Sequence, residues 1–176
     1  MVGHGESGTN RKDWTISAFA NDVAAVIEKL ELDQVVLVGH SMGGFVVVEA
    51  ARRMSDRVIG IVGADSLFDV ERIRTQNQID RFTTTFLDPL RSDFVGNTRK
   101  FVQSMFLPTS DIALRDRIVT DTSSMPASVG IGAMVEMNEN DVNLNAGIRD
   151  AIAPLFTINA ASFRPTNLEA AHLNGM

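Results

Sequence analysis

The chain has no cysteine, which excludes disulfide staples and thiol catalysis. It has only three histidines, His4, His40 and His172, and their wide separation argues against a zinc site. Lysine and arginine never gather into a cluster, and the formal net charge is -6, so nothing resembles a phosphate-binding face for nucleic acid. No apolar run approaches the length of a membrane span. The opening residues, MVGHGESG, lack a basic region followed by an apolar stretch, so no secretion signal and a cytoplasmic setting are expected. Internal repeats and low-complexity tracts are missing too.

What remains is ordinary globular composition. Hydrophobic residues make up 44% and charged residues 22% of 176 positions, enough for one domain with a sizeable core. Residues 3–12 are polar and glycine-rich and read as a loop. Thr15 or Ser17 can cap a helix running to about Leu30, with Phe19, Val23, Val26, Ile27 and Leu30 as its apolar face. Val35–Val38 is an apolar run with the look of a parallel strand buried on both faces. A helix from Gly43 to Met54 follows, then a strand at Arg57–Gly63 and another at Leu155–Asn159. Helix, strand, helix, strand is the α/β pattern, here a partial parallel sheet with flanking helices. The long segment between the last two strands reads as helical. Ser110 or Asp111 can cap one of its helices, and another starts near Pro126. Its length marks it as a subdomain or helical lid over residues 68–153, leaving 1–67 and 154–176 for the core.

The stretch with the most chemistry is Gly39-His40-Ser41-Met42-Gly43, which fits the nucleophile-elbow pattern G-x-S-x-G. Serine is a weak nucleophile and must be presented to both a base and a substrate. A tight strand-to-helix turn lifts its hydroxyl clear of the sheet and holds it in a sparsely populated backbone region. Strand and helix then come close, so positions two before and two after should be small, as Gly39 and Gly43 are. The helix N-terminus faces the site, and the Met42 N–H is one candidate donor to a developing oxyanion. A Rossmann loop fits worse, since His40-Ser41 stands where G-x-G-x-x-G needs its second glycine.

Gly3-His4-Gly5-Glu6-Ser7 and Gly39-His40-Ser41-Met42-Gly43-Gly44, with one helix between, resemble the α/β-hydrolase superfamily in its esterase and haloalkane-dehalogenase-like branch. The resemblance makes His4 and His40 structural. It implies a Ser, Asp/Glu, His triad in that chain order. The loop most members use for the acid is here Asn159-Ala160-Ala161-Ser162-Phe163-Arg164, which has no carboxylate. Other members take the acid from the end of the strand after the nucleophile, where this chain has Asp65. Asp69 and Glu71 lie too far along, and Glu6 belongs to the entrance loop. The base is the gap: His172 alone follows Asp65, on a stretch expected to be helical rather than in the family's histidine loop. The chain therefore resembles a hydrolase without its first strands and without its final strand and histidine. One side of the Val35–Val38 strand would lack a neighbour, which invites self-association through an exposed edge.

Because dehalogenases use an aspartate and this chain has Ser41, the resemblance implies cleavage of a small ester or related acyl bond through an acyl-serine. No cofactor or metal is expected, and the partner is a small ester-like molecule. Two alternatives stay open. One is a non-catalytic hydrolase-fold fragment or binding module. The other is C–C hydrolysis or cofactor-free peroxidation on the same elbow.

Overall fold

The computed structural model describes residues 1–67, 74–139, 148, 150 and 153–159. Two compact units emerge. One joins residues 15–74 to 140–176, and the other joins residues 1–14 to 75–139.

The first unit is the α/β layer. Helix α1 spans Ile16–Lys29 and is capped by Thr15, whose hydroxyl accepts the Ala18 N–H at 3.1 Å. Thr15→Ala is expected to cost about 1 kcal/mol, read as a lower urea midpoint. The buried stripe of α1 runs through Ile16, Phe19, Ala20 and Ile27, while Val26 and Leu30, expected in it, stand exposed at its margin. Strand β1 (Val35–His40) leads into α2 (Met42–Arg53), then β2 (Val58–Ala64), and β3 (Leu155–Ile158) completes the described sheet. All pairings are parallel, in the order β1-β2-β3.

Strand register explains what is buried. Val35, Leu37, Val58, Ile61 and Leu155 share one face, and there they meet Val47, Val48 and Ala51 of α2 and Ile27 of α1 in a single core. The other face holds Val36, Val38, Val62, Phe156 and Ile158. The sequence predicted burial on both sides, but Val38 is 66% and Ile158 70% exposed. The reason is that α1 and α2 both belong to the core on the same side of the sheet. Valine runs look alike whether or not a second layer covers them.

At the far end of α2, Arg53 donates to the Ser17 carbonyl at 2.9 Å and to its hydroxyl at 2.7 Å, pinning α2 to α1. Arg52 forks onto both Glu49 carboxylate oxygens at 3.0 Å. That bond holds the Glu49 carboxyl below the usual range; partial burial opposes the shift and Arg53 adds to it. The folded value is depressed, so the stabilisation is present above the unfolded carboxyl's value and is lost as pH falls through the folded one. Urea midpoints of wild type and Glu49→Gln are expected to differ at neutral pH and converge in acid.

The second unit is helical: α3 (Gln76–Phe82), a π-helical turn (Thr83–Leu87), α4 (Asp88–Ser92), α5 (Phe94–Gln103), α6 (Ile112–Ser123) and α7 (Ala127–Glu139). Asp111 rather than Ser110 caps α6, accepting the Leu114 N–H at 2.7 Å. The π-helical turn falls on three consecutive threonines whose hydroxyls donate back to the carbonyls of Ile79, Asp80 and Arg81. Such back-bonding competes with regular helix. Asn138 of α7 is buried and donates to the Ile79 carbonyl at 3.2 Å. Phe82, Phe86 and Phe101 form a chain of rings with successive centroids 4.9 Å apart. Residues 1–14 pack here through Gly3 and Trp14: a Cβ on Gly3 would touch Trp14 and Val129, and one on Gly132 would touch Trp14. Among the described residues no helix is long and apolar enough to cross a membrane.

Candidate active site

Ser41 lies between the last residue of β1 and the first of α2, with φ 51 and ψ -123. Left-handed backbone costs a non-glycine residue about 1–3 kcal/mol and persists only where its surroundings impose it. Serine at a helix N-cap ordinarily turns its oxygen onto the helix amides. Ser41 makes no such cap bond. Its hydroxyl is therefore not consumed by the helix it begins, and the side chain is exposed. The Met42 N–H opens α2, where the first amides have no intrahelical acceptor. A 12-residue helix directs its positive end at this spot.

The glycines divide the work differently from the sequence expectation. A Cβ on Gly39 would overlap the backbone carbonyl of Gly43, so β1 and α2 touch main chain to main chain. A Cβ on Gly43 itself would meet no described atom within 4 Å. The second crowded position is Gly44, where a Cβ would overlap the Ser66 hydroxyl. The demand for smallness thus falls on Gly39 and Gly44. At Gly43 what matters for packing is the backbone, because its side-chain direction points away from the strand.

Asp65 follows β2 directly. Because His40 pairs with Ala64, Ser41 and Asp65 stand at adjacent strand ends on the same edge of the sheet. The Ser41 N–H donates to the Ala64 carbonyl at 3.0 Å, and the Asp65 N–H to the Ile158 carbonyl at 2.9 Å. Asp65 is exposed and has φ 43. His40 falls in register on the uncovered face with Val36 and Val38, and is exposed. His4 belongs to the other unit, with Nδ1 3.3 Å from the Val2 carbonyl. His172, Asp69 and Glu71 lie outside the described residues. No group of three or more potential metal ligands occurs among the described residues.

Two residues at this edge were not legible in the sequence. Ser66 is buried and donates its hydroxyl to the Ser41 carbonyl at 2.6 Å. The Asn159 side chain accepts the Ser66 N–H at 2.9 Å and donates to the Ser66 carbonyl at 3.0 Å. The only sequence signal is a serine set between an acid and a buried leucine, straight after a strand.

The alpha/beta hydrolase fold family model matches residues 1–144. Lipase LipV of Mycobacterium tuberculosis is 32% identical over 91 residues, 51% of this chain and 34% of that protein. An esterase from Exiguobacterium antarcticum superposes with a TM-score of 0.79 at 18% identity, covering 98% of this chain and 65% of that one. A bromoperoxidase from Bacillus anthracis gives 0.82 at 19% identity, covering 98% and 66%. The chain thus spans about two thirds of these solved relatives and a third of the lipase. A parallel sheet, a left-handed serine between strand and helix, and a family match over most of the sequence agree: the chain belongs to the α/β-hydrolase fold family.

Proposed function

We propose that this chain carries the nucleophile and acid of a serine hydrolase that cleaves a small ester or related acyl bond. Ser41 attacks the carbonyl as an imidazole base takes its proton, and the Met42 N–H donates to the oxyanion. The ester C–O bond breaks so that the alcohol leaves with that proton, and water then hydrolyses the acyl-serine to release the acid. Asp65 is the carboxylate that would orient and charge-stabilise an imidazole base. The observation that carries this reading is the backbone of Ser41: strained, exposed, and with its hydroxyl not used as a helix cap. Similarity to an esterase and a lipase supports the acyl class. In this reading the segment 68–153 serves as a lid, and the uncovered sheet face and the β1 edge lead the chain to self-associate.

A second reading keeps the fold and drops the turnover. It is favoured by the described histidines, His4 and His40: both precede Asp65, whereas a triad of this fold takes its base after the acid. One experiment separates the two. The folded chain is treated with a fluorophosphonate, and intact mass is measured with Ser41→Ala and heat-denatured controls. Addition of one phosphonyl group to wild type alone is the expected result. No addition to a protein whose Trp14 fluorescence reports the folded state would leave a binding module.

A further inference from the structure

We infer that Ser66 is a positioning residue that holds the Ser41 elbow and the Asp65 carboxylate in one fixed arrangement, with Asn159 as its anchor. The inference rests on Ser41 and Asp65 being the reactive pair. Its physical content is a chain of bonds across three strand ends. Asn159, just past β3, clamps the Ser66 main chain at both N–H and carbonyl, at 2.9 and 3.0 Å. Ser66, just past β2, passes that rigidity to the Ser41 carbonyl through its hydroxyl at 2.6 Å. The same carbonyl also accepts the Gly44 N–H at 3.0 Å.

The backbone around Ser66 shows why such a clamp is needed. Asp65 and Leu67 on either side are left-handed, with φ 43 and φ 57, as is Ser41 with φ 51. These conformations persist only if neighbouring contacts over-determine them. Leu67 and Ser66 are both buried, which supplies packing. Hydrogen bonds supply direction. Gly44 completes the fit, since any side chain there would take the space of the Ser66 hydroxyl. A buried hydroxyl with a single well-placed acceptor on the reactive residue does more than fill a gap. It sets the peptide plane after Ser41 and hence the aim of the Met42 N–H.

The test uses the full chain, isotope-labelled, with residue-resolved amide exchange at Ser41 and Gly44. Both amides are hydrogen-bonded, to Ala64 and Ser41 carbonyls. In Ser66→Ala they are expected to exchange about tenfold faster, the worth of one buried hydrogen bond, with α1 amides unchanged. Ser66→Cys, a weaker donor, should fall between, and Asn159→Ala should act in the same direction. If Ser66→Ala does not fold, these two variants decide on the same amides. In a protein that takes the phosphonate, the maximal labelling rate should drop by about tenfold at constant half-saturation. Unchanged elbow exchange, equal acceleration in α1, or an unchanged labelling rate in a labelled protein would overturn the proposal. Elbow amides that respond in a wild type that takes no label would uphold the clamp and refute the hydrolase.

Discussion

Gly39→Ala is expected to lose about 3 kcal/mol or more of folding stability, while Gly43→Ala folds as well as the wild type. One methyl group is added in each case. At position 39 the new carbon would overlap the Gly43 carbonyl and crowd the Gly44 nitrogen. These are backbone atoms, so no side-chain rotation relieves the clash. Either β1 separates from α2 or the elbow turn opens. Overpacking of a close-packed site typically costs 1–3 kcal/mol, and a backbone overlap belongs at about 3 kcal/mol or above. That is a large share of a stability on the order of 5–15 kcal/mol. At position 43 the carbon meets no described atom, and alanine is the better helix former, so a change within about 1 kcal/mol is expected. Urea denaturation of both variants checks this. Equal midpoints for Gly39→Ala and wild type would mean that β1 and α2 do not approach as closely as described.

The second large effect concerns solubility. The isolated chain is expected to sediment as a concentration-dependent mixture, and the double variant Val38→Lys, Phe156→Lys as a monomer. Val38, Val62 and Phe156 form one row across the sheet, and Phe156 is 59% exposed. Val36 and Ile158 extend the apolar surface. Burying one such side chain is worth about 1.5–3 kcal/mol, so several together can hold copies in contact at micromolar concentration. β1 adds an unpaired row of main-chain donors and acceptors on its outer side, because its only partner in the described sheet is β2. Lysine on a strand surface costs little folding stability and repels a second copy. Sedimentation velocity over a hundredfold concentration range is the measurement. A wild type that stays monomeric throughout would remove self-association from the proposed function.

The contrast between what was legible and what was not follows from the range of the interactions. The elements were readable because each rests on a local pattern: Thr15 before an apolar stripe, valines at 35–38, a glycine-flanked serine between strand and helix. That Ser41 and Asp65 stand at neighbouring strand ends was readable for the same reason, each following an apolar run. The bare face was not readable, because Val36 and Val38 would look the same beneath a covering helix. Gly43 was assigned a crowding that belongs to Gly44, since the spacing motif is symmetric about the serine and the packing is not. Ser66 and Asn159 escaped because they are 93 residues apart and the Asn159 side chain bonds the main chain of Ser66. No local pattern records such a pair.

The contact between Gly39 and Gly43 has a consequence for how this sequence can change over time. A distance set by side chains shifts whenever a valine becomes a leucine. Here the distance between strand and helix is set by peptide against peptide, and peptides do not mutate. The hydrophobic residues beneath the elbow are therefore free to drift in size, trading stability among themselves, while the serine hydroxyl stays where it is. The position of Ser41 and the composition of the core are mechanically decoupled, and the burden of keeping them so rests on the missing side chain of Gly39.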